Sequence, residues 1–168
     1  MTGPVARDTN IVTRFPLQIA DANLRLLHDY WDIVRRDRAF PNSAEIEIVD
    51  LPVAPGGLML VDVAPNFMAF TVHWVGTDYV LWLRRDATGR QLEDLPPSPN
   101  AVPFAELLRR CADSGLPQTR ALPAATELGL PSADILALPL GGADGKVNRL
   151  LVGSAFNLPR RRSLHIVG

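Results

Sequence analysis

The residues best equipped for chemistry crowd into one stretch, Phe70 to Leu95, which reads FTVHWVGTDYVLWLRRDATGRQLEDL. Arg85, Asp86 and Arg90 stand close together there. Two guanidinium groups beside a carboxylate can hold an anion, or they can pair to build a charged, capped turn. Charges away from open water persist by pairing, which favours the structural corner. Three histidines, His28, His73 and His165, fall on separate parts of the chain without a metal-ligand spacing such as HxxxH. Cys111 has apolar neighbours at helical spacing and reads as a small buried hydrophobe rather than a reactive thiol. Ser154 has no identifiable histidine partner, and Glu93-Asp94 are adjacent rather than convergent. Gly56-Gly57 and Gly141-Gly142 lack the context of a phosphate loop. No catalytic apparatus is assembled, no metal site is expected and no cofactor is implied. The enzymatic alternative places Asp86, Arg85 and His73 around one cleft.

The elements that position these groups must fit 168 residues, enough for one domain with a real core. A hydrophobic share of 47% excludes a disordered chain. The net charge of −1 offers no basic field for nucleic acid. No apolar run reaches the roughly 20 residues that span a bilayer, and the N-terminus lacks a signal-peptide core. With a single cysteine there is no internal disulfide, so the expected compartment is cytoplasmic.

Residues 1–15 read as a flexible arm, 16–157 as one domain and 158–168 as a basic tail containing Arg160, Arg161 and Arg162. The segment DANLRLLHDYWDIVRRDR spaces Leu24, Leu27, Trp31 and Val34 as a helical stripe, with Asp21 as its cap. Prolines 41, 52 and 55 keep the following loop irregular. GLMLVDV and NFMAFTVHWVG read as a hairpin. TDYVLWLRR and NAVPFAELLRRCADSG read as helices, the second stopped by Gly115. PQTRALPAAT, ADILALPLGG and KVNRLLVGSAF complete the strands. Pro139 requires a bend, or an N–H position turned away from any partner. Strict alternation puts Phe70, Val72 and Trp74 on one face of their strand. The order is α+β: a five-stranded antiparallel sheet with helices on one face and an N-terminal flanking helix.

Taken in order, Tyr30-Trp31, Phe40-Pro41, Glu45-Ile46-Glu47, Leu60-Val61-Asp62-Val63, Phe70 and Val75-Gly76-Thr77 lead to Arg85-Asp86 with Thr88-Gly89-Arg90 and Leu92. Gly115-Leu116-Pro117, Leu138-Pro139-Leu140, Gly145 and Val147 follow. This succession resembles the PAS domains, specifically small stand-alone bacterial members. It departs from their pattern at Arg84, at Trp74 and from Ala121 to Ala133. The resemblance implies a sensory or adaptor role in signal transduction, without enzymatic activity, in which a small molecule or protein partner acts on the sheet or its flanking helices. Haem-binding relatives present a histidine from a pocket-side helix, and residues 100–115 contain none. The asparagine-cysteine-arginine motif of flavin-binding relatives is also absent. Ligand-pocket candidates are Phe70, Val72, Trp74, Tyr79, Trp82, Phe104 and Leu138; a filled aromatic core is the alternative. Tyr30, Trp31 and Val34 are candidates for a homodimer interface through the N-terminal helix, and a signalling protein is the further expected partner.

Overall fold

A computed structural model describes residues 17–157, except Met68, Arg84, residues 95–99, Thr126 and Leu128. The expected arm, the basic tail with its three arginines and His165 lie outside the described residues. Three α-helices and five strands follow in the order α1 (Ala22–Arg35), β1 (Leu58–Val63), β2 (Phe70–Val75), α2 (Thr77–Leu83), α3 (Ala101–Ser114), β3 (Gln118–Leu122), β4 (Ala133–Gly141) and β5 (Val147–Phe156). Short 3-10 turns punctuate the proline-rich loop at Ser43–Glu45, Ile48–Asp50 and Pro55–Gly57. The sheet order is β2-β1-β5-β4-β3, and every neighbouring pair is antiparallel. The class expected from the sequence is the one found.

Local chemistry starts and stops the helices. The Asp21 carboxylate accepts the Leu24 N–H at 2.9 Å, satisfying one free donor at the start of α1. At the end of α3, Gly115 takes the left-handed conformation at φ 64° and donates its N–H to Cys111. The sheet order explains where α2 and α3 go. Both β2 and β3 are edges, so the chain between them must cross a sheet face. That face receives Tyr79, Trp82, Phe104, Leu107, Leu108, Cys111 and Ala112 from the two helices.

The opposite face is equally apolar. Leu58 and Leu60 from β1, Leu136, Leu138 and Leu140 from β4, and Leu151 from β5 are all buried there. α1 covers them with Leu24, Leu27 and Trp31, and the 3-10 segment adds Ile46 and Leu51. Full burial of each large side chain stabilises the fold by about 1.5–3 kcal/mol. Gly153 lets the helix come close: a Cβ there would lie 2.6 Å from a Leu27 methyl.

This packing removes Trp31 from the expected interface. Trp31 is 3% exposed and covers its own sheet, while Tyr30 and Val34 are half-buried against the same cluster. The Trp31 indole N–H donates to the Pro139 carbonyl at 2.9 Å. β3 pairs only with residues 133–137 of β4, so Pro139 lies past its end. The proline leaves no orphan donor at that bare edge, and Trp31 satisfies the carbonyl. Two residues on, Gly141 donates its N–H to Pro41, which continues the edge in a short parallel bridge.

The strap carrying Pro41 is tied to α1 by charge. Arg38 grips both oxygens of Glu45, at 2.6 and 3.0 Å, and caps the Val34 and Arg35 carbonyls of the helix end. Glu45 also accepts the Asn42 N–H in a capping box. First the Arg38 hydrogen bonds, then that backbone N–H, hold the Glu45 carboxyl down at about 2.

Two outcomes are expected. Trp31→Phe leaves the Pro139 carbonyl without its donor and costs about 1–3 kcal/mol, read from the urea midpoint, with no change in native mass. A changed oligomeric mass at unchanged stability would instead return Trp31 to an interface. The second concerns acid. A depressed carboxyl contributes stability that is present above the ordinary carboxylate range and lost as pH falls through the folded value. The gap in urea midpoint between wild type and Arg38→Met should therefore be widest at pH 6 and narrow near pH 2, leaving only the loss of the helix-end caps.

Candidate functional site

Five of the pocket candidates meet on the face covered by α2 and α3. β2 supplies Phe70 and Val72, α2 supplies Tyr79 and Trp82 three residues apart, and α3 supplies Phe104. Phe156, from the end of β5, joins them and was not singled out from the sequence. Only its place at the end of an apolar strand hinted at it. The rings meet mostly edge to face: Tyr79 on Phe156 at 5.2 Å, Tyr79 on Trp82 at 6.4 Å and Trp82 on Phe104 at 6.1 Å between centroids. Trp82 and Phe156 lie 5.5 Å apart and tilted. The buried members of this cluster carry no charged side chain.

Polar atoms in this setting are few, so each must be accounted for. The Tyr79 hydroxyl is hydrogen-bonded to the Ser154 hydroxyl. Burial pushes the Tyr79 phenol well up, and the Ser154 bond offsets only part of that, so the ring stays neutral. The Cys111 thiol is likewise pushed up by burial and is not a nucleophile at neutral pH. Trp82 is different. Its indole N–H is buried, the residue is 7% exposed, and no acceptor reaches it among the described residues. An unsatisfied buried donor costs about 1–3 kcal/mol.

The other two pocket candidates are elsewhere. Trp74 and Leu138 belong to the cluster under α1, on the opposite face of the sheet. The cause for Trp74 is a β-bulge. Leu60 opposes Trp74 and Val61 opposes Val72, which leaves His73 as an extra residue without a partner. Beyond that point the alternation reverses, and Trp74 turns away from Phe70 and Val72. Leu138 follows the alternation of β4, where Ile135 and Ala137 face α3.

The bulge also decides the fate of His73. Its ring lies 3.1 Å from the Asp62 carboxylate, which also receives the Arg149 guanidinium at 2.7 Å. Asp62 and Arg149 are cross-strand partners on the α1 side of the sheet. Of the groups in the enzymatic alternative, His73 is held by Asp62, whereas the Asp86 carboxylate is held by Thr88.

Arg85, Asp86 and Arg90 are exposed and build a corner. The Asp86 carboxylate accepts the Thr88 N–H at 2.9 Å, and Gly89 turns the chain at φ 80°. The backbone then runs back along β2. Val72 donates to the Arg90 carbonyl at 2.9 Å, and Gly89 donates to the Val72 carbonyl at 2.7 Å. Edge strands left bare invite pairing with other chains. This corner covers β2, and buried Ala87 pins it to the aromatic cluster.

Among the described residues no group of three or more His, Cys, Asp or Glu side chains converges as metal ligands, and no helix is long and apolar enough to cross a membrane. No protein-family model matches the chain, and no curated protein matches it. Among solved structures, it is similar to a light-oxygen-voltage domain studied with a flavin analogue. The likeness covers 61% of this chain and 77% of the other, at 13% identity and a TM-score of 0.45.

Cys111 gives a direct check of the packing around the cluster. Iodoacetamide should leave the native protein unlabelled and alkylate Cys111 once urea has unfolded it. Labelling of the native protein at the rate of a free thiol would show that the cluster admits solvent.

Proposed function

We propose that this chain is a PAS-like sensory or adaptor domain, without enzymatic activity, that binds a small molecule between its sheet and the helices α2 and α3. The buried Trp82 N–H carries this reading: it is a hydrogen-bond donor held among aromatic rings, and no acceptor reaches it among the described residues. A ligand with a hydrogen-bond acceptor on a flat, apolar body recovers the cost of that donor and exchanges ring contacts with Phe104, Tyr79 and Phe156. The absence of charge among the buried members favours a neutral ligand over an anion. Phe70 and Val72 form the sheet wall of this site. The succession of motifs that resembles PAS domains supports the sensory role, and the antiparallel sheet with helices packed on it is consistent with that resemblance.

Signal output in this reading runs through the helices. A ligand that wedges against Trp82 moves α2, and α2 leads into the exposed corner at Arg85, Asp86 and Arg90. A protein partner reading that corner meets two guanidinium groups and one carboxylate on a rigid turn. The protein acts in the cytoplasm of a bacterial cell in this reading.

The test is a thermal-shift screen of neutral aromatic metabolites, run in parallel on wild type and Trp82→Phe. At a hundred times its dissociation constant a true ligand stabilises wild type by about 2.7 kcal/mol. Trp82→Phe should lose most of that gain. Equal responses from the two proteins would mean that Trp82 serves the core and not recognition. No response from any compound in wild type would favour an interaction module with a filled interior.

A further inference from the structure

Away from the aromatic cluster, a cleft of about 120 Å³ opens where three segments meet: the start of α1, the 3-10 turn Pro55–Gly57 and the start of α2. Its floor is apolar, formed by Leu24, Leu27, Leu58 and the bare backbone of Gly153. Its polar rim is Asn23, Asp78 and Ser154. The volume is slightly below the roughly 150 Å³ of an engineered apolar cavity that accepts benzene. It therefore suits a ligand of about five non-hydrogen atoms.

Asp78 sets the chemistry. It is half-buried and has no hydrogen-bond or ion-pair partner among the described residues. Its carboxylate folds over Gly56, where even a methyl group would sit 3.0 Å from the nearer oxygen. The glycine thus holds the carboxylate at the rim. No Lys, Arg or His lines the cleft. The Asn23 amide adds a second oxygen that can accept. We infer that this cleft binds a small organic cation, a primary ammonium on a short alkyl chain, with the ammonium on Asp78 and the alkyl body on Leu24, Leu27 and Leu58.

One opposing effect has to be weighed. The cleft lies beside the starts of two helices, whose partial positive charge disfavours a cation. α2 has only seven residues, and Asp78 in its first turn already offsets that charge. A direct charge-assisted hydrogen bond from the ammonium to the carboxylate outweighs what remains. This inference does not rest on the ligand proposed for the aromatic cluster, because the two share no lining side chain.

The experiment titrates the full chain with n-butylammonium chloride, with 1-butanol and with sodium chloride, following backbone amide resonances by NMR. The expected result is saturable movement of the Gly57, Gly153 and Ser154 resonances with butylammonium, and at least ~10-fold weaker binding of butanol. Asp78→Asn should weaken butylammonium by a similar factor, while Trp82→Phe should leave it unchanged. The comparison of ammonium with alcohol on wild type needs no variant to fold. Equal affinity for butanol would overturn the inference and leave a merely greasy cleft. Identical movements with sodium chloride, or none with butylammonium, would overturn it as well.

Discussion

The middle of the sheet is apolar on both faces, and the rest of the structure follows from that. Leu58-Met59-Leu60-Val61 in β1, Leu150-Leu151-Val152 in β5 and Ile135 to Leu140 in β4 send large side chains alternately to either side. Neither face can be left to water. The crossing from β2 to β3 brings α2 and α3 over one of them. The other has to be closed by a segment from outside the sheet, and the stripe of α1 is spent on that task. Leu24, Leu27 and Trp31 of that helix are thereby part of the domain's own interior.

Much of this was legible in the sequence. Periodicity gave the helices, the Asp21 cap and Gly115 gave their ends, and strand-like runs separated by turn residues gave the five strands. Pro139 called for either a bend or an N–H position without a partner, and the end of β3 before it supplies the second. The bulge at His73 was not legible. A strand that gains one residue keeps the same composition, and only the pairing with β1 reveals that the faces have exchanged. For the same reason Trp74 was grouped with Phe70 and Val72, whereas Leu138 lies on the far face through the plain alternation of β4, and the sheet separates both from that pair. The role of Tyr30, Trp31 and Val34 was ambiguous for a different reason. An apolar stripe states that a helix must bury a face, but not against which surface.

The conspicuous stretch from Phe70 to Leu95 divides along the same physical lines. Tyr79, Trp82 and Ala87 go inward, while Arg85, Asp86 and Arg90 stay in water and turn the chain. The backbone of that turn covers an exposed strand edge, a task that depends on hydrogen-bond direction and not on side-chain type. No reading of residue types alone would have found it. Trp82 reads as apolar in the sequence, yet that its N–H lacks an acceptor among the described residues is visible only in three dimensions.

Phe40 has a consequence for how the molecule comes apart. Its ring packs against both hydrophobic clusters, seated between Gly115 at the end of α3 and Gly141 at the end of β4. Beside Gly141 the fit is so close that a methyl group would overlap the ring. The two layers of the domain are thus riveted at one corner by a single aromatic side chain. Through that ring, loosening of either layer withdraws support from the other.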